Sequence, residues 1–409
     1  MPKIVGELLR YGHAKRGLTM TNESKIGKTA ARLSGLVLSD IRQMTKECEK
    51  VGGINLGQGL CDLPTPPLVS QGAISAIEAR KATYSFAEGT ETLRQAIAQK
   101  MERDNGMSVD PTSEVVISVG ASGAYNATLN ALLDPGDGIL LMEPYYGYHL
   151  NAAIVAGLEP QYLTLEPPKF SLDEATLRAA IKPNTRAVVV CTPSNPCGKM
   201  FDEAELKMLA RIAKEFDLLV ITDEIYEYIR YEDRPHISPA TIDDLRQRTV
   251  TISGASKTFS ITGWRIGWAI APPKLAKALT LVNDLFYICA PTPLQLGVAA
   301  GFSAGREFFD ELAADYQEKR KRICDALDAG GLKPIVPQGA YYVLADISHL
   351  GYGNAKEGAM DLLQRARVAS IPGSAFYRGE VGEGLLRFCY AKEMDELDAA
   401  CQRLSSFER

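Results

Sequence analysis

The sequence predicts an α/β protein with a mostly parallel sheet covered by helices and a second, smaller α/β domain. Short apolar runs rich in β-branched residues recur between residues 115 and 252. Helical patterns separate them, as at residues 202–216, where Leu206 and Leu209 recur at helical spacing. Continuous apolar strands that alternate with helices are typical of a sheet buried on both faces. The predicted strands are residues 115–119, 139–142, 187–191, 218–222 and 250–252.

A change of pattern after Pro291 predicts where the smaller domain begins. A helical pattern rich in Glu, Lys and Arg covers residues 305–329, and an apolar strand pattern follows at residues 339–344. Near the other end, Ser39 offers an N-cap to a helix over residues 39–50. We therefore expect an N-terminal extension at 1–34, a segment at 35–64 that joins the small domain, a large domain at 65–300 and a small domain at 301–409.

The composition argues against several classes of function. The chain has 409 residues and a formal net charge of −5, which gives no attraction to nucleic acid or to an anionic membrane. No apolar run reaches the ~18 residues that a membrane-spanning helix needs. The eight cysteines form no CxxC pair, and the four histidines are far apart in sequence. We therefore expect reduced thiols, no metal site and a cytoplasmic protein.

One stretch carries the strongest chemical signal. The strand pattern at 250–252 runs into small residues, then Ser256, a lone Lys257, a hydroxyl-rich turn and Arg265. A lysine sheltered among apolar groups has a lowered amine pKa, so its neutral form can attack a carbonyl group. The hydroxyl groups and Arg265 suit a phosphate. A carbonyl and a phosphate on one ligand describe pyridoxal phosphate, which binds lysine as a Schiff base.

The same stretch resembles the class I and II aminotransferases, which are pyridoxal-phosphate enzymes of fold type I. That family carries Ser-x-x-Lys, or a close variant, followed by Thr-Gly-Trp-Arg-x-Gly, and this chain has Ser256-Lys257 followed by the same motif at 262–267. The resemblance covers about residues 35–405. Further family motifs occur in the expected order: Leu-Gly-x-Gly at 56–59, Tyr-x-x-x-x-Gly at 84–89, Asn-Pro-x-Gly at 195–198 and Asp-Glu-x-Tyr at 223–226.

The resemblance implies a cofactor site at the carboxyl ends of the strands. Lys257 would bind pyridoxal phosphate as a Schiff base and would then move the substrate proton as base and acid in turn. Asp223 would keep the pyridine nitrogen protonated, while Asn195 and Tyr226 would face the phenolic oxygen. Tyr146 would lie flat on the pyridine ring. The phosphate ligands implied by the resemblance are Ala121, Ser122, Ser256, Arg265 and the partner subunit's Tyr84.

Substrate recognition and subunit structure follow from the same resemblance. Arg387 lies between apolar strand residues and needs an anion, and the family binds the substrate α-carboxylate there. Gly59 would line the substrate pocket, and Asn195 would face the same carboxylate. Because the family tyrosine at position 84 reaches the neighbouring subunit's phosphate, we expect a homodimer with shared sites.

Two departures from the family pattern affect the loops around the site. Cys61 stands where a proline is usual, which bears on the shape of that loop. Gly254 stands where many relatives carry a phosphate-binding serine or threonine. We therefore expect one hydroxyl contact to be missing.

The function implied is transamination between an L-amino acid and a 2-oxo acid. Family members that prefer aspartate commonly place an arginine of the partner subunit against the distal carboxylate, but the corresponding residues 283–292 include no arginine or lysine. Gln58 and Gly59 resemble the branch that acts on glutamine, methionine and aromatic donors such as kynurenine. We therefore expect a neutral donor, aromatic or sulfur-containing, because an unpaired distal carboxylate would lose its hydration.

Two other functions stay open at this point. A lyase that performs β- or γ-elimination would use the same cofactor residues, and it would release pyruvate or ammonia without an acceptor. A regulator that uses this fold as a ligand sensor would carry an additional DNA-binding domain. The stretch before residue 35 is short and has no pair of basic helices, which disfavours the regulator.

Overall fold

The computed structural model describes residues 30–36, 40–59, 61 and 63–407, so most of the extension predicted at 1–34 lies outside the described residues. The strands form a seven-stranded sheet, a four-stranded sheet and a separate two-stranded pair. The strands are β1 (Ile54–Asn55), β2 (Val115–Val119), β3 (Gly138–Glu143), β4 (Glu159–Thr164), β5 (Thr185–Cys191), β6 (Leu219–Asp223), β7 (Thr249–Gly254), β8 (Ile266–Ile270), β9 (Lys333–Ile335), β10 (Tyr342–Asp346), β11 (Val368–Ala369), β12 (Ile371–Pro372) and β13 (Leu385–Cys389).

The helices lie between these strands and begin and end at residues with local chemical reasons to do so. The α-helices are α1 (Asp40–Val51), α2 (Pro67–Glu78), α3 (Glu91–Asn105), α4 (Gly120–Leu132), α5 (Gly147–Val155), α6 (Glu174–Ala180), α7 (Glu203–Glu215), α8 (Ala255–Thr258), α9 (Pro273–Tyr287), α10 (Thr292–Gly301), α11 (Arg306–Ala329), α12 (Ala355–Ala366) and α13 (Met394–Ser405). Thr90 caps α3 by accepting from the amide of Leu93, and Gly106 ends it in the left-handed conformation. Asp202 and Glu205 form a capping box on α7.

The seven-stranded sheet confirms the predicted α/β class. Its order is β2-β8-β7-β6-β5-β3-β4. The run from β7 to β4 is parallel, whereas β8 is antiparallel to both of its neighbours. All five predicted strands are present. The sequence patterns do not predict β4, a half-exposed edge strand with polar residues, or β8, a short strand that contains Gly267.

Most strands of this sheet are buried along their whole length, which is why helices cover both faces. Every residue of β3, β7 and β8 is buried. Leu140 and Val188 belong to one apolar cluster, while their neighbours Ile139 and Val189 belong to another. Successive side chains of a strand point to opposite faces, so the two clusters lie on the two sides of the sheet.

The four-stranded sheet is antiparallel and comes from the C-terminal part of the chain. Its order is β12-β13-β10-β9. β10 begins at Tyr342, later than the predicted residue 339, because Ala340 adopts a left-handed backbone with φ 58° that interrupts an extended strand. The parallel pair of β1 and β11 joins Ile54 to Val368, which brings the N-terminal segment to this part of the molecule. The domain boundaries at 35, 65 and 301 stay predictions.

Three further features can be stated for the part of the chain that is described. All eight cysteines are free thiols. Among the described residues, no helix is long and apolar enough to cross a membrane. The same residues contain no group of three or more His, Cys, Asp or Glu side chains that could hold a metal ion.

A buried ion pair ties α3 to the segments that follow β6 and β7. Nζ of Lys100 contacts Oε2 of Glu227 and donates to Oδ1 of Asn105 (2.7 Å). Oγ of Ser253, near the end of β7, donates to Oε1 of Glu227 (3.2 Å). The lysine and glutamate side chains are only 1% and 6% exposed. This pair therefore supports the strand end from which Lys257 follows.

We expect Lys100→Met to lower the free energy of unfolding by about 3–5 kcal/mol, because the Glu227 carboxylate would stay buried without its cation. Urea denaturation followed by circular dichroism would measure the loss. The double variant K100M/E227M should recover much of it, since both charges are then absent. A loss below about 1 kcal/mol in K100M, the scale of an exposed ion pair, would contradict the assignment.

Candidate active site

Three parallel strands end side by side and bring predicted site residues to one edge of the large sheet. Cys191 of β5 pairs with Asp223 of β6, and Asp223 pairs with Ile252 of β7. The chain then reaches Asn195 after β5, and it reaches Lys257 in the short helix α8 after β7. The carboxyl ends of parallel strands are where α/β proteins bind ligands, so this edge is the expected place for a site.

Lys257 lies deep in the protein but keeps part of its surface open to a cavity. Its Nζ donates to the carbonyl oxygen of Gly59 (3.3 Å) and lies 5.6 Å from the ring centroid of Tyr341. Burial lowers the pKa of this amine, which raises the neutral, nucleophilic fraction. Gly59 has no room for a side chain, because a Cβ there would lie 2.0 Å from the hydroxyl oxygen of Tyr342.

Arg265 and the start of α4 form a cluster of hydrogen-bond donors. The backbone of Arg265 is left-handed (φ 59°), and its guanidinium donates to the carbonyl of Thr262 (2.9 Å) and to Oγ of Ser122 (3.0 Å). It lies so close to Gly120 that a Cβ there would be 2.4 Å from Nη2. Within the described part of the chain Arg265 makes no ion pair, so its charge is available to an anion.

The two departures from the family pattern have structural explanations. A Cβ at Gly254 would lie 3.2 Å from the carbonyl oxygen of Ile266 and 3.3 Å from Cα of Gly267, so the contact of β7 with β8 leaves little space for serine or threonine. Cys61 is buried, and its Sγ lies 3.1 Å from Oγ of Ser260 and 3.2 Å from the hydroxyl of Tyr316. The thiol therefore fills a polar, enclosed position in its loop.

Asp223 is held by His149, a residue that the sequence motifs do not predict. Nε2 of His149 lies 2.9 Å from Oδ2 of Asp223. A carboxylate oxygen accepts hydrogen bonds, so the tautomer of His149 that fits this contact is the one that donates from Nε2. The rings of Tyr125 and Tyr146 lie against His149, with centroids 4.7 and 5.2 Å away. The sequence contained one indication of this residue. His149 follows Tyr146 by three residues and lies in the first turn of a helix at the same sheet edge.

Arg387 is a buried cation without a carboxylate partner among the described residues. It is 1% exposed, and its guanidinium donates to Oδ1 of Asn195 (3.0 Å) and to the carbonyl oxygen of Gly57 (2.6 Å). Within the described structure its Nε has no hydrogen-bond partner. The rings of Tyr342 and Phe376 lie 4.5 and 4.8 Å from the guanidinium carbon. A charge buried in this way is stabilised strongly by an anionic ligand.

Two tyrosines from different sheets meet beside these groups. Tyr226 follows β6 and Tyr342 begins β10, and their hydroxyl oxygens are 3.2 Å apart. Burial raises the pKa of Tyr226 above its usual value and raises the pKa of Tyr342 to about 12. Both hydroxyl groups therefore keep their protons at neutral pH and can donate to an anionic oxygen.

A single cavity of about 660 Å³ is lined by every predicted site residue except Tyr84. Tyr84 is 78% exposed, and its predicted place in a neighbouring subunit's site stays a prediction. The predicted residues along the wall are Gly59, Ala121, Ser122, Tyr146, Asn195, Asp223, Tyr226, Ser256, Lys257, Arg265 and Arg387. The residues of the wall that the motifs do not predict include Arg42, Gln58, Tyr125, His149, Thr262 and Tyr342.

The lowered pKa of Lys257 predicts a pH dependence of stability in protein stripped of small-molecule ligands. Between the folded pKa and the ordinary value of 10.5, the unfolded chain binds a proton at this amine that the folded protein does not. The free energy of unfolding should therefore rise with pH across this window. Lys257→Met removes the group, so the free energy of unfolding of the wild type minus that of K257M should rise with pH up to about pH 10.5. Urea denaturation at a series of pH values would measure it, and a difference independent of pH would contradict the assignment.

Comparison with known proteins identifies the family. The family model described as "Aminotransferase class I and II" matches residues 51–404. The chain is 34% identical to the probable N-succinyldiaminopimelate aminotransferase DapC of Mycobacterium tuberculosis, over 92% of this chain and 98% of that relative. It is 33% identical to the aspartate aminotransferase of Pyrococcus abyssi, over 87% of this chain and 92% of that relative.

The solved structures agree. The structure of YbdL from Escherichia coli, described with a methionine aminotransferase function, matches with a TM-score of 0.89 and 30% identity over 93% of this chain and 100% of that one. These matches confirm the predicted family and fold type. The chain therefore belongs to the class I and II aminotransferases, which are enzymes that depend on pyridoxal phosphate.

Proposed function

We propose that this aminotransferase moves the amino group of a neutral L-amino acid, aromatic or sulfur-containing, to a 2-oxo acid. The observation that carries the proposal is the shared cavity, which joins Lys257 to the buried Arg387. Arg387 has no carboxylate partner among the described residues, and an amino acid supplies a carboxylate. The same amino acid would place its α-carbon within reach of the Lys257 amine.

The residues of the cavity fit pyridoxal phosphate. Arg265 and Ser122 would hold the phosphate, because they offer donors and a positive charge at the start of a helix. Asp223, oriented by His149, would pair with the protonated pyridine nitrogen. When bound, the cofactor supplies an electron sink for the electron pair left when the α-carbon loses its proton. The other residues that we propose to contact the cofactor are Ala121, Tyr146, Asn195, Tyr226, Ser256 and Lys257.

In the proposed reaction, Arg387 and Asn195 would bind the substrate, and Lys257 would transfer the proton. Arg387 would bind the α-carboxylate through two parallel hydrogen bonds, and Asn195 would hold the guanidinium in place. Nζ of Lys257 would take the α-proton in its neutral form and return it as the ammonium. A lowered pKa suits both halves of this transfer, since general acid–base catalysis is most efficient near the working pH.

The wall of the cavity supports a neutral donor. Leu36, Ile41, Tyr148 and Val155 lie along it, and burying an apolar side chain there would gain roughly 1.5–3 kcal/mol. A carboxylate placed against these four apolar groups would instead lose hydration, since none of the four can pair with it. The named relatives act on N-succinyldiaminopimelate, aspartate and methionine, so their names do not select one donor.

A spectroscopic screen of amino donors tests the function. We expect methionine or phenylalanine to convert the cofactor absorbance of the wild-type enzyme with a higher kcat/KM than aspartate, because the apolar wall favours their side chains. Lys257→Ala should give no catalytic turnover. Borohydride reduction of the wild type followed by peptide mapping should label Lys257.

Three outcomes would contradict the proposal. Aspartate as the best donor would refute the neutral substrate class. A label on another lysine would remove Lys257 from its role. Release of pyruvate or ammonia without a 2-oxo acid acceptor would identify a lyase in place of a transaminase.

We also propose that the enzyme is a homodimer. Apolar side chains are exposed on α9 and on the loop that contains Tyr84 and Phe86, which are each 78% exposed; Leu281 and Leu285 on α9 are 68% and 80% exposed. Hydrogen bonds hold the loop against the neighbouring helices, as where Asn283 donates to the carbonyl of Ala87 (3.0 Å). Large exposed apolar side chains on adjoining segments are typical of an interface between subunits.

Mixing two variants tests whether the sites are shared. If Tyr84 completes the site of the partner subunit, a hybrid of Tyr84→Ala and Lys257→Ala subunits contains one intact site and one doubly altered site. We expect the mixture to regain activity beyond either parent, approaching half of the wild-type activity per hybrid dimer. Subunit exchange would be verified with differently tagged chains. No recovery among proven hybrids would argue against sites completed across the interface.

We propose a cytoplasmic location on the basis of the thiols. All eight cysteines are free, and several of them are buried. Free thiols persist in reducing compartments, whereas oxidising compartments favour disulfides.

A further inference from the structure

The cavity contains a cation that the proposed reaction does not use. Four cationic side chains line it: Arg42, Lys257, Arg265 and Arg387. The last three are enclosed by hydrogen bonds or by burial and have roles in the proposed function. Arg42 is exposed and makes no ion pair with any residue whose side chain is described. Among the described residues its guanidinium therefore has no anionic partner, and it lines the cavity.

We propose that Arg42 binds the distal carboxylate of a dicarboxylic 2-oxo acid and thereby selects the amino acceptor. This inference rests on the proposed function, because it assigns the second substrate of the same site. Transamination requires two substrates to occupy one cavity in turn. Arg387 binds the carboxylate that both substrates share, and Arg42 binds the second carboxylate, which only the acceptor carries.

A chain of contacts links the helix that carries Arg42 to the segment that holds Arg387. Its helix, α1, is anchored in the core by Met44 and Cys48, which are each 2% exposed. The side chain of Asn55 donates to Oγ1 of Thr45 on α1 (3.1 Å).

The same asparagine reaches the segment that holds the buried arginine. Oδ1 of Asn55 accepts from the amides of Gly57 (2.9 Å) and Gln58 (3.2 Å). The carbonyl of Gly57 in turn accepts from Arg387 (2.6 Å). The helix that carries Arg42 and the segment that holds Arg387 thus belong to one supporting framework, and both arginines line the same cavity, as a ligand with two carboxylates requires.

The charges along the wall are compatible with a second carboxylate. Among the described residues that line the cavity, Asp223 is the one acid, and His149 already bonds its carboxylate. A distal carboxylate at Arg42 would therefore meet no acidic side chain of the wall nearby. Gln58, which also lines the cavity, offers an amide donor to the same group.

The exposure of Arg42 also explains how a neutral donor can use the same cavity. A solvated guanidinium keeps its hydration when no anion is present, so a neutral side chain does not leave a buried charge unpaired. Arg387, in contrast, is buried and needs the α-carboxylate of either substrate. One exposed and one buried arginine therefore match substrates that differ only at the distal end.

The test compares acceptors in the holoenzyme. The ratio of kcat/KM for 2-oxoglutarate to kcat/KM for 2-oxobutyrate should fall roughly tenfold in Arg42→Gln, because a charge-assisted contact is lost. Arg42→Lys, which keeps the charge, should retain part of the ratio. Lys46→Gln removes the same charge from an exposed residue of α1 outside the cavity wall, and it should leave the ratio unchanged.

A binding measurement separates this inference from the proposed function. Glutarate should bind the holoenzyme more tightly than butyrate in calorimetric titration, and R42Q should abolish that preference while K46Q keeps it. An enzyme that converts no amino donor but shows this pattern would refute the proposed function and support Arg42 as a carboxylate ligand. Unchanged acceptor ratios and an unchanged glutarate preference in R42Q would overturn the inference. A loss of equal size in K46Q would overturn it as well, since it would reflect only general electrostatics.

Discussion

The guanidinium of Arg387 joins three distant parts of the chain, and the site depends on that junction. It comes from β13 of the smaller sheet, it donates to Gly57 of the N-terminal segment, and it donates to Asn195 at the edge of the large sheet. A buried charge must be surrounded by acceptors, so the carbonyl and the amide oxygen have to lie where they do. The hydrogen bonds that this one cation needs therefore determine how the groups between the two sheets are arranged.

The same segment also contacts a second cation of the cavity, Lys257. Gly57 accepts from Arg387, and Gly59 accepts from Lys257. Two residues of chain span at most roughly 7 Å, so both cations bond to one short stretch of backbone. Gly59 also lies against the hydroxyl of Tyr342, where no side chain would fit. Tight packing of this backbone therefore holds the guanidinium of Arg387 and the amine of Lys257 beside the same cavity.

Much of the fold could be predicted from the sequence because it depends on local patterns, and the family motifs named many of the residues that line the cavity. Apolar β-branched runs mark the parallel strands, and the polar residues after them meet at one sheet edge. Such patterns do not predict the roles of His149 and Tyr342, because the positions of these side chains depend on contacts between segments far apart in sequence. Arg42 is not predicted for the same reason, because nothing in the sequence of its helix indicates that the cavity lies beside it. β8 is missed because it is short and contains Gly267.

Residues 283–292 contain no basic side chain, which bears on the choice of amino donor. The choice of amino acceptor is a separate question, and it depends on the arginines of the cavity wall. A buried arginine imposes a requirement on every ligand, because an unpaired buried charge is costly. An exposed arginine imposes none, since water replaces the missing anion at little cost. In the proposed function, specificity for the two substrates is therefore divided by burial: Arg387 would recognise what they share, and Arg42 would recognise where they differ. In such a cavity, both the presence of each charged side chain and how deeply it is buried decide which substrates bind.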